Sequence, residues 1–446
     1  MRGAHAARVF PTAPGGMASG SVARSRLSPS VICALLIAAA AMQYLPASML
    51  NPVSQNIYWR LSDSVVEDSG YWRYLKDSVL LVFSLYWPVY VLMSGTGEAS
   101  KILEKYIMMM TMLIVVASIP FLFFEGFMPF LQAGIRWLIL LQGAVGVFVL
   151  TRTIPDSRKS QTMALLIIFA VAVCDVYVLL MQGFGGGDLS GLLGGRLPGG
   201  FATAGTAGYF ALGVGLLAGA LRQVSLPLRL ATFLAAFLIA ATSGTRYAQI
   251  GLGLIALRWF MSYQQAGRSR DERVNRLVAG LLFIVPVLIV AVIGFVFLSG
   301  RGNPFDQGER GGRIFNMFEI FDMISDGDLS DILFGRGLGT GTNTAFVISS
   351  SMLISPLSVK WNVLIDNSFI TAIIQLGLVG SLILFVGCFF IFMSGGAPFI
   401  VILIIGLGLF VQNIFEQFFL MIPFAYVLAL DASAWRAAGE APGFVR

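Results

Sequence analysis

Apolar runs of membrane-spanning length follow one another along almost the whole chain, separated by short polar stretches. A run of roughly 17–25 apolar residues crosses a bilayer as a helix. On that rule spans begin near Val31, Ser78, Tyr106, Gly134, Gln161, Gly205, Leu228, Arg246, Arg276, Asn367, Pro398 and Phe418, about twelve in all. The two that flank Ser243-Gly244-Thr245-Arg246 are short, and the last two read equally well as one re-entrant pair. The pattern predicts an all-α polytopic membrane protein. A leader over 1–30 precedes about nine spans over 31–299, then a long polar segment over 300–365. C-terminal spans over 366–431 and a tail over 432–446 complete the chain. Arg24 and Arg26 stand just before the first apolar run, which has no small-residue cleavage site and so reads as a retained anchor.

Composition agrees: 57% of residues are hydrophobic, 12% are charged and the mean hydropathy is +0.83, which excludes an ordinary soluble domain. Cys33, Cys174 and Cys388 all lie in apolar stretches and read as packing residues. The sole histidine, His5, falls in the leader, which excludes His-based zinc motifs and a Ser-His-Asp triad. The net charge of +6 does not point to nucleic acid, because the basic residues sit in short loops between apolar runs. Such loops orient membrane proteins.

With a cytoplasmic N-terminus, the inner loops and tails together with boundary residues Arg258 and Arg276 hold eighteen of the 29 Lys and Arg residues. Both termini are then expected inside. The same assignment puts Arg196, Arg246, the 300–365 segment and Asp366 on the outer side, although the span count was not chosen to do so.

Three outer segments carry candidate chemistry. Gly194-Gly195-Arg196-Leu197-Pro198-Gly199-Gly200-Phe201 is rich enough in glycine to present backbone amides to a phosphate, or is simply a flexible loop. Thr242-Ser243-Gly244-Thr245-Arg246 interrupts an apolar run, and sets a guanidinium at a helix start as an anion site or as a snorkelling cap. The third is the long segment itself. Arg301, Arg310 and Arg313 lead into a stretch where Arg313, Asn316, Glu319 and Asp322 recur every three residues among aromatics and methionines, which predicts a short amphipathic helix at the membrane surface. Asp326 to Asp331 reads as a solvated acidic turn; it lacks the glutamate that would end a calcium loop. Phe334-Gly335-Arg336-Gly337-Leu338-Gly339 repeats the glycine–arginine theme without the Gly-Lys-Ser/Thr of a P-loop. Asp366-Asn367-Ser368-Phe369 then opens the next span. Mid-span Asp175 is either functional or held by an interhelical partner such as Gln or Tyr. Gln412, Asn413, Glu416 and Gln417 make a polar break that either rims the same pocket or forms a turn.

Arg196 to Phe201, Ser243 to Arg246, Phe334 to Gly339, Asp366 to Phe369 and Gln375 to Gly380 stand in an order that resembles the O-antigen ligase and polymerase superfamily. The resemblance covers roughly residues 190–385 and rests on order, spacing and shared side, since no single motif is specific. It implies a membrane-embedded, GT-C-like glycosyltransferase. The donor would be a polyprenyl-pyrophosphate-linked oligosaccharide, with no nucleotide sugar, cofactor or metal. The ligase branch carries His-Asn where this chain has Asp366-Asn367, which favours the polymerase (Wzy) branch or a similar exopolysaccharide polymerase. That branch works at the periplasmic face of the bacterial inner membrane, with a chain-length regulator as a further partner.

In such a reaction arginines would bind the leaving diphosphate by charge-assisted bonds, Arg196 and Arg246 first and Arg301, Arg310, Arg313 and Arg336 behind them. Asp366 would take or orient the acceptor proton, with Asn367 beside the substrate; a plain helix cap is the competing role for Asp366. A ligase, or a flippase for lipid-linked oligosaccharides, would fit about twelve spans as well. Against transport, the spans hold few charges and show no paired broken helices in two similar halves.

The orientation is open to a direct check. A cysteine at Asp328 should react with an impermeant reagent applied from the periplasmic side, and one at Ser269 should not. The reverse labelling would put every candidate residue on the wrong side.

Overall fold

Helix is the only regular structure among the described residues, as a bilayer core requires of a spanning chain that is not a barrel. A computed structural model describes residues 28–50, 72–94, 97–123, 128–184, 197, 199–201, 203–265, 327–340, 367–392, 399–411 and 414–439. The helices are α1 (Pro29–Met42), α2 (Leu45–Leu50), α3 (Trp72–Ser94), α4 (Gly97–Phe123), α5 (Met128–Thr153), α6 (Arg158–Phe184) and α7 (Ala204–Ala220). There follow α8 (Leu226–Ser243), α9 (Arg246–Gln265), α10 (Leu329–Phe334), α11 (Ser368–Phe392), α12 (Phe399–Val411), a 3-10 turn (Ile414–Glu416) and α13 (Phe418–Gly439).

Six stretches are long and apolar enough to cross a membrane: Leu75–Ser94, Gly97–Pro120, Gly134–Thr153, Arg158–Gly183, Leu226–Ser243 and Ser368–Phe392. Shorter apolar helices cover Pro29–Met42, Ala204–Ala220 and Phe418–Leu430. The chain is thus an α-helical, multi-pass membrane protein. The span expected near Arg276, the amphipathic helix expected over 313–323 and most of the 300–365 segment lie outside the described residues.

Outward faces are apolar, as a bilayer setting requires. On α3, Leu85, Leu92 and Met93 are 63%, 72% and 82% exposed, and on α11 Leu382 is 66% exposed. In water such faces would be aggregation sites; in a bilayer they meet acyl chains.

The centre of the bundle is α7, where every residue from Ala207 to Ala218 is buried. It packs against α6, α8, α9 and α13. Small residues make this possible, because lipid supplies no hydrophobic drive between helices and backbones must approach closely. A Cβ at Gly213 would strike the Phe419 carbonyl of α13, and one at Gly208 would strike Thr245 before α9.

Polar contacts fasten the ends away from the candidate segments. Between α5 and α6, Asp156 accepts from Ser28 Oγ, from Ser30 N (3.4 Å) and Oγ (3.1 Å), and from Tyr426 Oη (2.7 Å). One carboxylate therefore caps the start of α1 and ties it to α13. Nearby, Arg152 pairs with Glu98 at 2.5 Å, joining α5 to α4. Replacing Asp156 with Ala orphans the Tyr426 hydroxyl and the α1 cap together, at about 1–3 kcal/mol for each buried group left unpaired. The detergent-solubilised variant should melt well below wild type in a thermal-shift assay, and Tyr426→Phe should lose less.

Candidate functional site

Two of the three candidate segments meet where α6 and α8 end, and the third is held at the start and the kink of α11. The first two are bonded directly: Leu197 N donates to Thr242 O at 3.2 Å. Arg196 itself lies outside the described residues, but its neighbour is thus anchored four residues before Arg246.

The glycine turn runs down into the bundle. Gln182 of α6 grips Gly199 twice, its Nε2 donating to Gly199 O at 2.8 Å and its Oε1 accepting from Gly199 N at 3.0 Å. Gly199 has φ +61, a conformation that favours glycine. Gly200 N donates to Asp175 Oδ1 at 2.5 Å, and Ser48 Oγ donates to Gly200 O at 3.1 Å. Asp175 is fully buried, and its Oδ2 has no hydrogen-bond partner among the described residues. Its described partner is a backbone amide, not the Gln or Tyr side chain that was one of the two alternatives for it. The amides of Gly199 and Gly200 are likewise taken by protein, and are not offered to a phosphate. Gln182 escaped sequence reasoning, although it stands seven residues from Asp175, two turns along one helix face. Aromatic packing closes the turn: Phe201 lies 4.8 Å from Phe210 and 5.2 Å from Phe419.

The second segment is a tight helix-to-helix turn. Gly244, at φ +62, ends α8 in the left-handed conformation. Ser243 Oγ donates to Thr245 Oγ1 at 3.1 Å, and Thr245 Oγ1 donates to Ala204 O at 2.9 Å, which locks the turn onto the start of α7. Tyr247 is buried, and its hydroxyl donates to Ile404 O of α12 at 2.8 Å. Arg246, between these anchors, is exposed and makes no hydrogen bond or ion pair with any described residue. A fixed backbone thus carries an exposed guanidinium at the first position of a helix, where the dipole also favours anions.

The third segment divides in two. Asn367 is buried and caps α11, its Oδ1 accepting from Phe369 N (2.9 Å) and Ile370 N (3.1 Å). The cap considered for Asp366 is therefore made one residue later; Asp366 lies outside the described residues, as do Arg301, Arg310 and Arg313. Ser368 Oγ accepts from Ile414 N at 2.8 Å, which joins the start of α11 to the polar break before α13. Further along, α11 is interrupted at Gly377 (φ 64). The Phe334–Gly339 loop docks on that interruption: Arg336 N donates to Ile374 O at 2.7 Å, Gly337 N to Gln375 O at 3.1 Å and Gly339 N to Gln375 Oε1 at 3.2 Å. Trp137 Nε1 donates to the same Gln375 oxygen at 2.8 Å. The Arg336 side chain pairs with Asp331 and is partly exposed. Two stretches singled out separately in the sequence thus form one junction, and the acidic turn supplies the counter-charge to its arginine.

No protein-family model, curated protein or solved structure matches the chain.

The junction yields a sharp expectation. A Cβ on Gly377 would run into the Leu333 carbonyl, and φ +64 strains any residue but glycine. Gly377→Ala should cost about 2 kcal/mol or more and lower the melting temperature in detergent. Gly253→Ala, where an added Cβ meets nothing within 4 Å, should be neutral or stabilising.

Proposed function

We propose that this chain is a membrane-embedded glycosyltransferase that polymerises lipid-linked repeat units at the outer face of a bacterial inner membrane. The glycan chain moves from a polyprenyl pyrophosphate onto a hydroxyl of the next lipid-linked unit. The bond between the anomeric carbon and the diphosphate oxygen breaks, a glycosidic bond forms, and the acceptor proton leaves with a base. The diphosphate departs with its charge increased, so the largest demand on the protein is a set of fixed cations at that spot. Guanidinium groups meet it through bidentate bonds.

One observation carries the reading. The exposed guanidinium of Arg246 sits on a rigid turn that is hydrogen-bonded, through Thr242, to the residue next to Arg196. The turn that carries Arg246 is thus tied to the residue that follows Arg196 in the chain, and a diphosphate site would draw on both guanidinium groups. The order of motifs that resembles the O-antigen polymerases supports it from the sequence side. Asp366 is the residue we assign to the acceptor proton, and Asn367 orders the helix start beside it. Arg301, Arg310, Arg313 and Arg336 serve the rest of the anionic substrate.

Purified protein given a lipid-pyrophosphate repeat unit should build a ladder of products. Arg246→Ala and Arg196→Ala should abolish the ladder with the protein still inserted, and Lys should rescue partly, because a point charge lacks the planar fork. Asp366→Asn should slow turnover by about 10²–10⁴-fold while sparing donor binding. A lost cap cannot account for that outcome, since the capping oxygen belongs to Asn367. Wild-type product lengths from Arg246→Ala would remove the central element of the proposal.

A further inference from the structure

On α9 one face stays open after packing, and it begins at Arg246. The other faces are taken. Tyr247 Oη donates to Ile404 O of α12 at 2.8 Å, and Gln249 Nε2 donates to Ala240 O of α8 at 3.2 Å. Leu252 and Ile255 pack on Gly215 and Gly219 of α7. The open line runs through positions 246, 250, 253 and 257, whose spacing of four, three and four keeps them on one side of the helix. Arg246 is exposed, Ile250 is 55% and Leu257 is 47% exposed, and a Cβ added to Gly253 would meet nothing within 4 Å. A cation is therefore followed by two protruding aliphatic side chains with a recess between them.

A lipid with a diphosphate head matches this line from end to end. The guanidinium at its top suits the head. Below it stand only Ile250, Gly253 and Leu257, which ask for hydrocarbon. From Arg246 to Leu257 the helix rises about 16 Å, roughly half of a hydrocarbon core about 30 Å thick. A lipid chain entering from its head at the interface would follow that descent. The recess narrows the choice of chain. A straight acyl chain passing over Gly253 leaves the recess empty and loses contact with its walls. A polyprenyl chain carries regularly spaced methyl branches, and one branch fills a recess left by a missing side chain.

Resting on the reading of Arg246 as a diphosphate ligand, we propose that the Ile250–Gly253–Leu257 face of α9 seats the first isoprene units of the donor's polyprenyl chain. The test takes the purified full chain in detergent and reads binding by calorimetry, without any need for glycan transfer. Its probes are undecaprenyl pyrophosphate and inorganic pyrophosphate, which share a head and differ in the tail. Gly253→Trp fills the recess and should weaken undecaprenyl pyrophosphate about tenfold, with inorganic pyrophosphate unchanged. Ile250→Ala with Leu257→Ala, at exposed positions on which packing does not depend, should do the same. Arg246→Ala should weaken both probes. Undiminished undecaprenyl pyrophosphate binding in both α9 variants overturns the tail assignment alone, and so does an equal loss of both probes in those variants. Unchanged binding of both probes in Arg246→Ala overturns the diphosphate reading and this proposal with it. Displacement of undecaprenyl pyrophosphate by an equal concentration of phosphatidylglycerol also overturns the tail assignment, since the face would then accept any lipid chain.

Discussion

A bilayer core offers no water to an unpaired backbone group, and wherever this chain departs from helix another part of it must replace the missing partners. The interior organisation follows from that constraint. At 199–200 the turn has no helical bonds of its own; Gln182 and Ser48 bind its carbonyls, and Gln182 and Asp175 accept from its amides. At Gly377 the interruption of α11 frees the carbonyls of Ile374 and Gln375, and the 335–339 loop donates to both. Each break is possible only because a specific neighbour completes it.

The same arrangement gives the protein a rigid frame around an exposed cation. Polar side chains in the bundle are mostly spent on backbone: Asn367 on the start of α11, Thr245 on Ala204, Tyr247 on Ile404. Arg246 is the contrast, exposed at a helix start whose flanking residues are all committed. Preorganised charge on a fixed backbone stabilises a developing anion without first having to reorganise. A diphosphate leaving group would use that property, and a loose loop of arginines would provide much less of it.

The two ends of the bundle differ in kind. Around Asp156 one carboxylate gathers hydroxyls from α1 and α13, and around Arg229 a guanidinium covers the end of α7. These contacts are saturated and short-range, as expected of fasteners. At the other end Arg246 is exposed, while the cap of α11, Asn367, is buried.

Membrane character, helical class and the turns at 199–200 and 243–245 were legible in the sequence, because apolar length and glycine clusters report directly on hydrophobic burial and backbone freedom. The pairing of Phe334–Gly339 with Gln375–Gly380 was not, since hydrogen bonds between backbones leave no trace in side-chain identity. The role of Asn367 over Asp366 was equally hidden: either residue caps a helix, and only geometry chooses. Asp175 announced itself as a buried carboxylate, yet its partner was an amide that no composition argument could name. The sequence by itself determined the membrane character and the glycine-rich turns between helices, but not the break inside α11 at Gly377. The tertiary structure alone decided which breaks complete one another, because each bond joins segments tens or hundreds of residues apart.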